Sequence, residues 1–317
     1  MEFHRFASHT DAGRSSRVLL VNGAEGGATA ERIDDPNNRY WTYVDDQLAQ
    51  AGVSGAQVQT VWLKEAIDGN SGQFPADAQA LHDALRSIVH ILKQRFPNLW
   101  LVYLSSRIYG GYATTDTNPE PFAYDSGFAV KWLIEDQLAG RLPVSSDTVP
   151  WLSWGPYLWA NGTHPRSDGL SWQCSDFQSD GTHPSKFGTD KVANLLVRFL
   201  HTDATARIWY VRGGRSLTKQ SGTSSVADGQ QAANGSASDG TSTPDITCHT
   251  GATGSCAGVP AGSTGDTASG PTSRASIEAL SGRGRRTGDW GAILGVAGAS
   301  VTGATAAFVH RTRRASR

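Results

Sequence analysis

Leu99-Trp100-Leu101-Val102-Tyr103-Leu104 is an unbroken apolar run, and it decides the architecture. A strand with one face in water alternates apolar and polar side chains. Six apolar residues in a row therefore read as a parallel strand buried on both faces. Upstream, Pro75 to Phe96 places Leu81, Leu85, Ile88 and Leu92 on one face of a long helix. Before it come a β-rich run, Gln57 to Leu63, a packing helix from Tyr40 to Ala51 with Trp41, Val44 and Leu48 at helical spacing, and a short strand, Val18 to Asn22. Downstream, residues 119–140 read as a helix carrying Phe128, Trp132 and Leu138, and Val149 to Trp154 is the next apolar stretch. This alternation predicts a doubly wound α/β sheet.

In such folds ligands collect where strands end at their carboxyl edge. Ser105 to Tyr112 follows the Leu99–Leu104 strand, making Arg107 and Tyr109 candidate substrate contacts. Gly23 to Thr29 follows the first strand, and its glycines allow backbone N–H groups to approach an oxyanion. Lys64-Glu65 closes the Gln57–Leu63 run; it reads first as a solvated ion pair, with Lys64 the one charged donor at that strand end. Between Trp151 and Trp172 lie four Trp, Trp154 among them, and Tyr157. Aromatic faces pack against sugar C–H faces, although the same rings serve equally as a roof over the core.

Ser179-Asp180-Gly181-Thr182-His183-Pro184-Ser185 precedes the clearest amphipathic helix, whose stripe is Val192, Leu195, Leu196, Phe199 and Leu200. Pro184 and Ser185 are start signals for it. A carboxylate that accepts from one imidazole nitrogen fixes the tautomer and leaves the other nitrogen as a general base toward a hydroxyl. Asp180 is the candidate orienter and His183 the candidate base.

This block resembles the last signature block of the SGNH (GDSL-type) hydrolases, and the resemblance spans roughly residues 1–200. It implies a flavodoxin-like three-layer parallel sheet, a Ser-His-Asp triad completed by Asp180 and His183, and Gly27 as an oxyanion donor. Two blocks depart from the pattern. The third block's Gly-x-Asn-Asp is replaced by Leu63-Lys64-Glu65-Ala66, and no Gly-x-Ser follows an apolar strand near the amino terminus. The resemblance therefore implies that the nucleophile, and the central strand bearing it, lie just upstream of Met1, so the chain as written is expected to be inactive and marginally stable.

A net charge of -1 and a pI near 6.8 exclude a strongly basic nucleic-acid binder. Nine of the ten Trp precede Arg212, so residues 1–212 read as one domain, 213–289 as a Gly/Ser/Thr-rich disordered linker, 290–309 as an uncharged transmembrane helix and 310–317 as a basic cytoplasmic tail. Met1 to Phe6 shows no apolar signal segment, and an extracellular domain on the cell membrane requires one upstream. Cys174 sits in the domain; Cys248 and Cys256 sit close together in the tail, where a small disulfide is open to them. The spacing fits no metal, and no cofactor is expected. The expected activity is hydrolysis of an ester, an O-acylated carbohydrate being the favoured substrate. The rival expectation is a non-catalytic surface carbohydrate-binding module on a degenerate hydrolase scaffold.

Overall fold

The structure is a computed structural model; it describes Phe6, residues 11–69, 71, 73–213, and the backbone of 245–247, 257–259 and 306–310. The elements are β1 (Val18–Val21), α1 (Ala30–Ile33), α2 (Tyr40–Gln50), β2 (Val58–Leu63), α3 (Ala76–Arg95), β3 (Leu101–Leu104), α4 (Phe122–Leu138), β4 (Trp151–Trp154), α5 (Lys186–Thr202), α6 (Arg207–Tyr210), β5 (Asp245–Thr247), β6 (Ala257–Val259) and β7 (Ala306–His310).

β2, β3 and β4 form a parallel sheet, with Val61 beside Val102 and Val102 beside Leu152. Consecutive strand residues point to opposite faces, and each face meets its own core. Val61, Leu63, Val102, Leu104 and Leu152 pack with α1, α2, α3 and α4. Trp62, Leu101 and Tyr103 pack with α5, α6 and the segment around Leu158 and Trp172. Helices thus cover both sides of Leu101–Leu104, every residue of which is buried, while Trp100 just before the strand is 40 % exposed. Burying each large apolar side chain contributes about 2 kcal/mol. Leu138, the last residue of α4, is 68 % exposed.

The sheet order is β1-β7-β2-β3-β4. β7 is antiparallel to both neighbours, Phe308 lying opposite Leu20 on one side and Thr60 on the other. β1 and β2 therefore run the same way without bonding each other. The expected all-parallel sheet with an unfilled row is corrected on this point: the row is occupied, and the sheet is mixed. The physical reason is that two strand edges facing each other across one strand's width need a partner for their N–H and C=O groups. Of the expected transmembrane run, residues 290–305 lie outside the described residues and 306–309 belong to β7. Among the described residues no helix is long and apolar enough to cross a membrane. The expected linker falls almost wholly outside them, apart from β5 and β6.

Candidate active site

The turn that carries Asp180 and His183 is built locally. Phe177 bridges Pro184, Gln178 N donates to His183 O (2.7 Å), and Gly181 N donates to Gln178 O (3.0 Å). Ser185 then caps α5, its hydroxyl accepting from Phe187 N at 3.1 Å and Gly188 N at 3.4 Å, so helix start and turn share one residue.

The Asp180 carboxylate holds the imidazole from two directions. Oδ1 accepts from Thr182 N (3.0 Å) and His183 N (2.9 Å), while Oδ2 faces His183 Nδ1. An ionised carboxylate only accepts, so Nδ1 carries the hydrogen and Nε2 of the neutral ring presents a lone pair. Nε2 is buried and has no hydrogen-bond partner among the described residues. Burial pushes the Asp180 carboxyl up, but the hydrogen bonds from the His183 ring and amide and from Thr182, with the His183 charge, hold it below the ordinary carboxylate value. A depressed folded value contributes stability above the ordinary carboxylate range, and that stability is lost as pH falls through the lowered value.

The loop after β3 fixes where this turn sits. Thr114 donates to Asp180 O from its amide (3.0 Å) and its hydroxyl (3.2 Å), and Thr182 Oγ1 donates to Thr117 O (3.0 Å). Gly181, at φ +68°, presses so closely on this loop that a Cβ there would stand 1.6 Å from Tyr112 O. Asp-Gly was a visible turn signal; Thr114 gave none.

Gly27, at φ +77°, ends the turn after β1, and its carbonyl accepts from Arg32 (2.8 Å). It lines a cavity of about 170 Å³ with Glu25, Arg32, Asn38, Arg39 and Tyr40, and no hydrogen bond joins it to Asp180 or His183. Lys64 and Glu65 are 2 % and 3 % exposed, which corrects the solvated pair: the residues after β2 lie beneath covering elements. Arg107 and Tyr109 are buried too. The Arg107 amide donates to Ser126 Oγ (2.9 Å), and Tyr109 meets Tyr112 edge-on at 5.0 Å; both support the loop from within. Trp154 is half-buried against Tyr157 (5.8 Å), while Trp172 is core, its Nε1 donating to Leu158 O (3.0 Å).

A buried carboxyl, Asp125, lies on α4. Burial, and after it the Asp77 charge, push Asp125 up to about 6. A raised folded value contributes stability that is fully present below the unfolded value and lost as pH rises through about 6. Asp125→Asn is therefore expected to gain on the parent as pH rises from about 4 to 7, by up to about 3 kcal/mol, read from urea unfolding at both pH values. A gap that stays constant across that range would show that Asp125 ionises normally.

Comparison with protein-family models, with characterised proteins and with solved structures returned no match. Among the described residues no group of His, Cys, Asp and Glu could hold a metal ion.

Proposed function

We propose that this chain carries the acid–base half of an SGNH-type serine esterase, with an O-acylated carbohydrate as substrate. The observation that carries the reading is the Asp180–His183 pair, with Nδ1 engaged by the carboxylate and Nε2 buried and unpartnered. A buried polar atom without a partner costs about 1–3 kcal/mol, so that state calls for a donor facing Nε2, which the proposal makes a serine hydroxyl.

The order of β1, β2, β3 and β4 supports the same reading. In the order 2-1-3-4-5 of flavodoxin-like folds, β1, β2, β3 and β4 take positions two to five, and β7 stands in position one. In those folds the nucleophile strand takes that row, and the proposal has a serine-bearing strand displace β7 from it. A serine Oγ there attacks the ester carbonyl carbon while His183 Nε2 takes its proton. Asp180 stabilises the imidazolium, Gly27 N–H faces the oxyanion, and His183 returns the proton to the departing alkoxide. Water then repeats the cycle on the acyl-enzyme.

The carbohydrate assignment rests on a row of rings. Phe74, 52 % exposed, meets Phe128 at 5.1 Å and Trp132 at 6.0 Å; Tyr124 meets Phe128 at 5.6 Å and Trp159 at 4.6 Å. Trp159 Nε1 donates to Glu120 (2.7 Å), which also accepts from Gly110 N, so the row ends on the loop that holds the dyad. The occupied first row favours the rival reading, a carbohydrate-binding module without chemistry. Attachment to the outer face of a membrane through residues 290–309, which would take 306–309 out of β7, belongs to the same proposal.

The test is a chain extended upstream in frame and treated with a fluorophosphonate. Labelling of one upstream serine is expected, together with hydrolysis of an aryl acetate and retention in membranes washed with high salt. The chain starting at Met1 should neither label nor turn over. An unlabelled extended chain that binds acetylated polysaccharide would leave the binding module as the function.

A further inference from the structure

The cavity of about 170 Å³ beside Gly27 lies between the turn after β1 and the start of α2. A single water needs only about 10–15 Å³, so the space admits a larger group. Its walls are tied in place from two sides. The Tyr40 and Tyr43 hydroxyls of α2 donate to Gly23 O (3.3 Å) and Ala24 O (2.9 Å). Arg32 donates to Gly27 O (2.8 Å) and pairs with Asp68 (3.0 Å), which commits it to holding the turn.

The lining is rich in donors. Asn38 Oδ1 accepts from Tyr40 N (3.0 Å), so the other end of that amide, its NH₂ group, is left to donate. Arg39 has a side chain 83 % exposed, and its Nη1 pairs with Glu25 Oε1 at 3.1 Å. A guanidinium carries five N–H groups in a fork that matches a carboxylate, so this one contact leaves donors over. Glu25 is the only acid in the lining. The chain's own carboxylate therefore already shows what Arg39 receives in this place.

We propose that the cavity binds the carboxylate of an acidic sugar, a uronate, through Arg39 and the Asn38 amide, and that Glu25 is the internal carboxylate it displaces. The incoming acid exchanges one guanidinium–carboxylate pair for another, with room for two parallel N–H···O bonds, and adds the Asn38 donors that the Glu25–Arg39 pair does not engage. The carboxylate half of this assignment stands on the cavity alone, while the sugar half rests on the carbohydrate reading above. In the esterase of that reading Gly27 is the oxyanion donor, so the acid group of an acylated uronate lies beside the ester.

The test is an amide-shift titration of the full isotope-labelled chain in low-salt buffer at pH 7, following the N–H groups of Gly26, Gly27 and Arg39. Glucuronate and its uncharged methyl ester are the probes. Glucuronate is expected to bind about tenfold or more tightly than the ester, the factor that one charge-assisted pair supplies. Arg39→Gln should remove that difference and leave binding of the ester as it was. Glu25→Gln should tighten glucuronate several-fold, because the competing carboxylate is gone. Equal affinity for glucuronate and ester, parent-like binding by Arg39→Gln, or no gain in Glu25→Gln overturns the proposal, as does inorganic phosphate moving the same amides as tightly as glucuronate. Acetate binding as tightly as glucuronate overturns its sugar half. The titration reads no hydrolysis, so it and the labelling of an upstream serine succeed or fail separately.

Discussion

Replacing His183 by alanine in a chain that includes the upstream nucleophile strand is expected to lower kcat/KM for an aryl ester by about 10³-fold or more. In the proposed esterase the imidazole takes a proton from the nucleophile and returns it to the leaving group, and members of such a set act as a unit. Asp180→Asn should cost somewhat less. An asparagine oxygen can keep the two backbone donors, Thr182 N and His183 N, but it brings no charge to oppose the imidazolium. Its amide, turned toward Nδ1, would also reverse the tautomer and place the hydrogen on Nε2. The check is a steady-state comparison of the three proteins at saturating and limiting ester. Near-normal turnover by the alanine variant would remove His183 from the chemistry.

Gly181→Ala is expected to cost about 3 kcal/mol or more of stability and to dismantle the dyad with it. A φ of +68° costs an L-residue roughly 1–2 kcal/mol by itself. The added methyl group would also stand 1.6 Å from a backbone carbonyl, Tyr112 O, and that atom cannot swing aside as a side-chain end does. The turn must lift from the loop, losing the Thr114 bonds to Asp180 O and the Thr182 bond to Thr117 O. Urea midpoints measure the first effect. The downfield proton resonance of an Nδ1–H held by a carboxylate measures the second. A variant with the parent's midpoint and the parent's resonance would show that the turn does not press on the loop.

What was legible in the sequence was what neighbouring residues determine among themselves. The Pro75–Phe96 pattern became α3, Ala76–Arg95, and the apolar run became β3, because periodicity of burial is written locally. Asp180 and His183 met because a three-residue step across a turn brings them together whatever lies around it. Lys64, Glu65, Arg107 and Tyr109 could not be placed this way. Their burial depends on what lies over the carboxyl ends of β2 and β3, and nothing in Leu63-Lys64-Glu65-Ala66 announces a cover. β7 was hidden most completely: Ala306–His310 lies in an Ala/Gly-rich run whose composition points to a helix, while its partners are Val18–Val21 and Val58–Thr60 to Trp62.

That row has a kinetic consequence. Loop closure must be completed before distant contacts reward it, and here Leu20 and Thr60 both wait for Phe308. During synthesis β1, β2, β3 and β4 leave the ribosome before the residues that join the first two. For that interval β1 and β2 face each other with open edges, the condition under which strands recruit foreign chains. Slow refolding and concentration-dependent aggregation are thus expected of this connectivity, independent of how well the two cores pack.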